Sequence, residues 1–437
     1  MYRFRPIFIT LIAIFLCGIT VASANEVYIP IVFNAPEKNE EFRGLWVSRF
    51  DWTSYNQPAD PARIDKIVED AAFAGFNVIF FQVRGTADAY YTPGLEPWAQ
   101  RVSGNFLGEW PSPYWDPLAY FIEKAHAQNI EIHAYMNIYP AWDCGSTPSA
   151  SVWPKPLYHQ LIDEYGTRTV NNTTMIDGLQ QIDGLNDHCL GGYQRTSPAS
   201  IFFDNHILAV AQDIVNRYDI DGLHLDHIRY AGRNASCDPV SLCRYNGQSE
   251  HCSANYACNI TDDYKDWQRR QVNGTVRKFY EDIILNHPDL WLSAAVWPVH
   301  TNKWGWNASQ GYHDYYQDSK AWVQGGYIDS ISPMIYANTT TGCPEDPGKS
   351  IFSTRSVWLT LVADFQAESG GRFIVPGIGS AFCDFAEIEW RIEQARAVGT
   401  AGHALFSYGH LATRGFFDDL RNGPYSESAT VPSIPWH

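Results

Sequence analysis

Apolar runs of strand length recur eight times along the chain, at Phe42–Ser48, Asn77–Gly85, Ile130–Asn137, Gly222–Tyr230, Leu290–Pro298, Ile328–Ala337, Arg372–Ser380 and His403–Gly409. Between them, apolar residues return at helical spacing: Ile64, Ile67, Val68, Ala71 and Ala72 after the first run, Leu118, Phe121, Ile122 and Ala125 after the second, and Ile207, Val210, Ala211, Ile214 and Val215 before the fourth. Asp60-Pro61 and Asp116-Pro117 each set a capping carboxylate ahead of a proline at the first helical position. Tyr264–Leu285 and Phe385–Val398 read as helices too. Eight strands alternating with helices, without the glycine fingerprint of a dinucleotide fold, predict an α/β chain closed into a (β/α)8 barrel rather than an open doubly wound sheet.

The segments 86–114, 138–198, 231–262 and 299–320 are long and irregular, and each follows a strand, where such barrels build their sites. One domain then spans residues 41–420, preceded by a tether (25–40) and followed by a tail (421–437) rich in Pro and Ser, expected to be a loose end. Residues 1–24 carry Arg3 and Arg5, an apolar run from Ile7 to Val21, and Ala22-Ser23-Ala24. That is the pattern of a secretory signal peptide cleaved near Ala24. No later run reaches the roughly 20 apolar residues of a membrane span, so the expected address is extracytoplasmic. Of nine cysteines, Cys17 falls in the leader, and an even number remains for an oxidising compartment. Cys237, Cys243, Cys252 and Cys258 lack the paired knuckles of a zinc ribbon, so disulfides are expected there and no metal. Loop order suggests Cys144 with Cys189 and Cys343 with Cys383.

Composition narrows the partners. With 45% hydrophobic and 18% charged residues the chain is globular, and a formal net charge of −17 lacks the electrostatic footprint of a nucleic-acid binder. Aromatic residues reach 15%, and Trp and Tyr bring flat faces suited to stacking.

Strand parity locates the chemistry, since alternate side chains of a barrel strand face its interior. Leu223 and Leu225 suit the helix layer, which turns His224 and Asp226 inward. The same alternation puts Gln82 and Arg84, His133, Tyr135 and Asn137, Ser293 and Trp297, and Ser332 and Tyr336 inside, toward the C-terminal strand ends where barrel enzymes work. Asp221 and Asp329 begin their strands and read as turn or capping residues. Asp226 lies roughly 16 Å beyond Asp221 at about 3.3 Å per residue, near the working face. It is either a catalytic carboxylate or the buried partner of Arg84 or Arg229. No G-x-S-x-G elbow is present, and Trp46-Val-Ser48 lacks the H-x-H of a metal-dependent hydrolase.

Glu41-Phe-Arg-Gly-Leu-Trp-Val47, Asp51-Trp52, Phe81-Gln-Val-Arg84, Asp116-Pro-Leu118, His133-Ala-Tyr-Met-Asn137, Asp221-Gly-Leu-His-Leu-Asp226, Arg269-Arg270 and Asp329-Ser-Ile-Ser-Pro-Met-Ile-Tyr336 together resemble, in order and spacing, the glycoside-hydrolase-like family ten. The resemblance implies a TIM barrel and a carbohydrate substrate, some members acting on peptidoglycan strands stripped of their peptides, and it maps the family's strand-four aspartate onto Asp226. The chain departs from the family at His227-Ile-Arg-Tyr230, where a second Asp and then Tyr-Phe-Tyr-Pro are common, at Ala294-Ala-Val-Trp-Pro298, and at Met334 in place of Gln.

The expectation is a secreted glycoside hydrolase, without cofactor, that cleaves O-glycosidic bonds of a polysaccharide or oligosaccharide, with peptidoglycan-type glycan one candidate. Glycosidases usually use two carboxyl groups. Asp51 is a candidate partner for Asp226, or else a turn residue; Asp88 and Glu96 are weaker candidates, and an N-acetyl group on the substrate would leave Asp226 as a lone acid. Arg84 and Arg229 would position hydroxyl or carboxylate groups or hold Asp226 ionised, whereas an acid catalyst needs a raised pKa. Trp46, Tyr139, Tyr230, Trp297 and Tyr336 are candidate sugar platforms or core aromatics. Gln82, Asn137, His133 and His224 complete the polar lining, the two histidines as hydrogen-bonding groups rather than metal ligands. The rival readings are a noncatalytic carbohydrate-binding protein on the same scaffold and a polysaccharide deacetylase.

Overall fold

The computed structural model describes residues 39–170, 172–182, 189–253, 255–336 and 350–437. Each apolar run contains a parallel strand: β1 (Phe42–Val47), β2 (Val78–Arg84), β3 (Glu131–Asn137), β4 (Gly222–Asp226), β5 (Trp291–Val296), β6 (Ser330–Pro333), β7 (Phe373–Ile374 and Gly377–Gly379) and β8 (Gly402–Phe406). Consecutive strands pair from β1 to β6, and β8 pairs with β1. The sheet closes through the divided β7, whose first half pairs with β6 and whose second half pairs with β8. Val375 donates its N–H to Ile331, whereas Pro376, with no N–H to give, accepts from Ala404. The (β/α)8 TIM barrel expected from the sequence is the fold found.

The helices start as their sequences dictate. Asp60 accepts from Ala62 N ahead of Pro61–Ala74, and Asp116 accepts from Leu118 and Ala119 N ahead of Pro117–His126. Ile64, Ile67, Val68 and Ala71 are buried, as their spacing predicts, and so are Leu118, Phe121, Ile122 and Ala125. The interior is filled, not open: Phe42, Trp46, Val78, Phe80, Tyr135, Trp291, Val375 and Ala404 form one cluster. Gly222 permits it, because a Cβ there would lie 2.7 Å from His133 Nδ1.

One device repeats at the N-terminal end of the barrel. Asn77 Oδ1 accepts from Arg43 N (2.8 Å), Asp221 Oδ2 from Ile132 N (2.7 Å) and Asp329 Oδ2 from Leu292 N (2.7 Å), so the residue just ahead of one strand satisfies an amide near the start of the strand before. Asp221 and Asp329 thus have the bottom-of-barrel role that their positions suggested. The tail is not the loose end expected. Val431 and Ile434 pack onto the interior cluster, Thr430 O accepts from Glu41 N, and Trp436 Nε1 donates to Asp329 Oδ1 (2.7 Å). A single extended pass over an apolar mouth carries no periodicity, which is why the sequence looked unstructured.

Three disulfides tie the strand-following loops: Cys144–Cys189, as loop order suggested, with Cys237–Cys258 and Cys243–Cys252. The suggested Cys343–Cys383 link and the leader fall outside the described residues, which do not include Cys343 or residues 1–38. The first disulfide braces a small antiparallel sheet of Pro140–Asp143, Tyr193–Arg195 and Cys189–Leu190. No helix among the described residues is long and apolar enough to cross a membrane.

Candidate active site

Asp226 ends β4 and lies in register with Asn137, which ends β3. The chain then turns sharply. His227 has φ +49°, a left-handed conformation rare outside glycine, and this brings its amide back to donate to Asp226 Oδ1 at 2.6 Å. Arg229 Nη1 donates to the same oxygen (3.2 Å), and the Tyr135 hydroxyl donates to Oδ2 (3.0 Å). Burial alone would raise the Asp226 carboxyl, but His227 and the Arg229 guanidinium outweigh it and hold the group well below the usual carboxylate range. His227 is itself neutral at pH 7, lowered to about 3 chiefly by burial, with Arg229 and Arg195 adding to the effect. Arg229 is therefore the cation bonded to Asp226 at neutral pH, with Arg195 acting on the carboxylate through space. Arg195 Nη2 can only donate to His227 Nδ1 (3.4 Å), which places the imidazole proton on Nε2, 3.9 Å from Asp226 Oδ2. Asp226 is thus an ionised carboxylate at the working face, fit to act as nucleophile, base or partner of a developing cation.

Aromatic rings frame this carboxylate. The Arg229 guanidinium lies 5.4 Å from the ring of Trp297, which packs on Tyr315 at 4.1 Å. Tyr336 stacks on Phe406 (4.6 Å, 3°), and its phenol is pushed up by burial and by Asp226. Both Trp297 and Tyr336 keep part of their surface open. Deeper in the barrel, Trp46 Nε1 donates to His224 Nε2 (3.2 Å), so Nδ1 carries the proton toward Ser293 Oγ (2.8 Å). Burial lowers the His224 pKa to about 3, which leaves a neutral, structural imidazole beneath Asp226.

Other residues singled out by the sequence go elsewhere. A bulge between Gln82 and Arg84 shifts the register, so Arg84 pairs with Met136 on the outer face. There it is fully buried, holding Glu96 through two hydrogen bonds (2.8 and 2.7 Å) and bonding the carbonyls of Asn137, Ile138 and Pro140. Against a burial that would raise it, Arg84 and His206 hold Glu96 at about 2. Asp51 closes its own turn: Oδ2 accepts from Ser48 N (2.7 Å) and Ser48 Oγ (2.8 Å), and Oδ1 accepts from Gly409 N (3.0 Å). It lines a separate cavity of about 330 Å³ with Ala62, Arg63, Lys66, Ile67 and Tyr408. Tyr139 and Tyr230 are fully buried, against Phe203 and Tyr316, because beyond the strand ends the chain has left the barrel interior. His133 lies in the interior among Phe42, Phe80 and Trp291. Gln82 accepts from Arg49 N (2.9 Å), and Asn137, beside Asp226, keeps a buried Oδ1 that has no partner among the described residues.

Four neighbours were not found by sequence reasoning: Arg49, Tyr193, Arg195 and His227. Arg49 donates to the Tyr193 hydroxyl (3.0 Å), and the Tyr193 ring meets His227 edge-on at 5.4 Å. His227 was legible as the residue after the strand-four aspartate. The others come from the single helical turn after β1 and from the small sheet after β3, elements too short for periodicity to mark a side chain.

The sequence family described as Glycosyl hydrolase-like 10 matches residues 41–175 and 196–347. The chain is 24% identical over 442 residues to glycosyl hydrolase YngK of Bacillus subtilis, covering 93% of this chain and 76% of that protein. It is likewise 24% identical over 368 residues to glycosyl hydrolase DigH of Escherichia coli, covering 76% and 75%. Among solved structures, the fold is similar to the PgaB (BpsB) glycoside hydrolase domain of Bordetella bronchiseptica, with TM-score 0.55 and 13% identity over 87% of this chain and 98% of that one.

Proposed function

The chain belongs to the Glycosyl hydrolase-like 10 family, and on that footing we propose that it is an extracytoplasmic glycoside hydrolase that cleaves O-glycosidic bonds of a polysaccharide, with Asp226 as its principal carboxylate. The observation that carries this reading is the state of Asp226: it ends β4, is held ionised, and accepts hydrogen bonds from Arg229, Tyr135 and the His227 amide. Glycosidic cleavage passes through an oxocarbenium-like transition state, and a fixed carboxylate next to the anomeric carbon stabilises that charge or bonds to it. Trp297 and Tyr336, each with part of its surface open, stand beside it for the pyranose rings, and Arg229 fixes the carboxylate's orientation. The proton for the leaving oxygen comes from another group, so Asp226 as a lone acid does not fit. The leader-like N-terminus and the disulfides favour an address outside the cytoplasm.

A noncatalytic carbohydrate-binding protein is the second reading, favoured by the commitment of Asp51 and Glu96 to internal hydrogen bonds. Release of reducing ends from chitin, cellulose, mannan and peptide-free peptidoglycan separates the two. The enzyme reading expects turnover of at least one by wild type, and its loss in Asp226→Asn with glycan binding retained. Binding without turnover by wild type would select the second reading.

A further inference from the structure

A second cavity, of about 400 Å³, opens among the loops after β1, β2 and β3, and its lining includes Arg49, Asp88, Arg101, Trp142, Asp143 and Tyr193. It holds two guanidinium and two carboxylate groups. Among the described residues none of the four makes an ion pair within 4 Å, although Arg49, Asp88 and Arg101 are all more than nine-tenths buried. Arg49 gives one side-chain N–H to Tyr193, and its other donors meet no acceptor among the described residues. Arg101 is held by Thr53 Oγ1 (2.9 Å) and Thr53 O (3.1 Å). Asp88 Oδ1 accepts from Thr86 N (2.7 Å), while the Asp143 carboxylate has no hydrogen-bond partner there. Arg49 and Asp88 act on one another through space, as do Asp143 and both guanidiniums, but buried charged groups with open hydrogen-bonding positions still cost free energy unless something polar completes them.

We infer that this cavity is a sugar subsite continuous with the Asp226 site, and that it takes an uncharged pyranose unit through its hydroxyl groups. A hydroxyl both donates and accepts, so neighbouring hydroxyls on one ring satisfy a carboxylate and a guanidinium together. Two charges of each sign balance around such a unit; a carboxylated sugar would meet Asp88 and Asp143 as well as the arginines. The rim is aromatic. Phe50 and Tyr55 are both 57% exposed, with Arg49 4.5 Å from the Phe50 ring and Arg101 4.2 Å from that of Tyr55, which leaves ring surface for the face of a pyranose. The volume is that of a small-ligand pocket. Tyr193 is the shared wall, lining this cavity while touching His227 beside Asp226. The disulfide Cys144–Cys189 braces the small sheet that carries both Asp143 and Tyr193.

The inference rests on the glycosidase reading, and chain length separates the two. The substrate is a ladder, from disaccharide to octasaccharide, of whichever of chitin, cellulose, mannan or peptide-free peptidoglycan wild type cleaves. Asp143→Asn removes a charged acceptor, and Phe50→Ala removes an exposed ring, with urea unfolding as the check that losing its contacts with Arg49 and Arg101 leaves the fold intact. For each, kcat/KM on the long chains should fall roughly tenfold or more, the worth of a charged hydrogen bond or a stacked ring. The shortest chain cleaved should change less than about twofold on the same scale. Equal losses on short and long chains, or no loss on long ones, would overturn the subsite. No cleavage by wild type of any chain would overturn the glycosidase reading itself, and the subsite with it.

Discussion

Replacing Arg229 with Met removes the cation that hydrogen-bonds Asp226 while keeping an apolar stem against Trp297. The bonds from Tyr135 and from the His227 amide remain. What is lost is a charge-assisted hydrogen bond at 3.2 Å, worth about 1.5–3 kcal/mol. At about 1.36 kcal/mol per pH unit, the Asp226 carboxyl should rise by about one to two units. A carboxyl whose folded pKa is depressed contributes stability that is present above its unfolded value and is lost as pH falls through the folded pKa. Arg229→Met should therefore cost about 1.5–3 kcal/mol at pH 7, and the gap from wild type should close in strong acid once Asp226 is protonated in both proteins. Urea unfolding across that pH range measures it. The same substitution in an Asp226→Asn background should show a small effect with no dependence on pH. Equal losses in both backgrounds, or a loss that persists at low pH, would refute the pairing as the source of the depressed pKa.

Three further outcomes follow from other contacts. Arg84→Met leaves the buried Glu96 with His206 but without its guanidinium partner and should cost about 3–5 kcal/mol in urea unfolding, with part regained when Glu96→Leu is added. Cys144→Ser opens a link between residues 45 apart and should lower stability by about 4 kcal/mol through loop entropy, read as a shift of the denaturant midpoint. Burial pushes Asp238 up to about 6 despite its bonds from Ser241. A raised folded pKa gives stability that is present below the unfolded value and lost as pH rises through about 6, so wild type should lose about 2 kcal/mol from this group between about pH 4 and pH 7. Unfolding of Asp238→Asn should lack that component.

The barrel was legible because its signal is local: each strand is one apolar run and each helix one spaced stripe, and Asp60-Pro61 and Asp116-Pro117 mark their own helix starts. Parity then placed His224 and Asp226 correctly, because β4 runs without irregularity. It misplaced Arg84, where one extra residue in β2 turns the side chain outward. It also had no purchase on Tyr139 and Tyr230, which lie beyond their strands. Tyr193 and Asp143 owe their positions to a loop hairpin and a disulfide, and Arg49 to a single helical turn after β1, connections that leave no periodic trace. The tail was missed for the same reason, since a chain that seals the barrel with Val431, Ile434 and Trp436 needs only a few contacts, not a repeating pattern.

The central claim is that Asp226, not Asp51, carries the chemistry. The most direct measurement is kcat/KM for Asp226→Asn and Asp51→Asn, side by side with wild type, on a glycan that wild type cleaves. The account predicts a fall of roughly 10³-fold or more for Asp226→Asn with substrate binding retained, and less than roughly tenfold for Asp51→Asn, whose loss should be in stability. Near-wild-type turnover by Asp226→Asn, or the larger fall in Asp51→Asn, would contradict it.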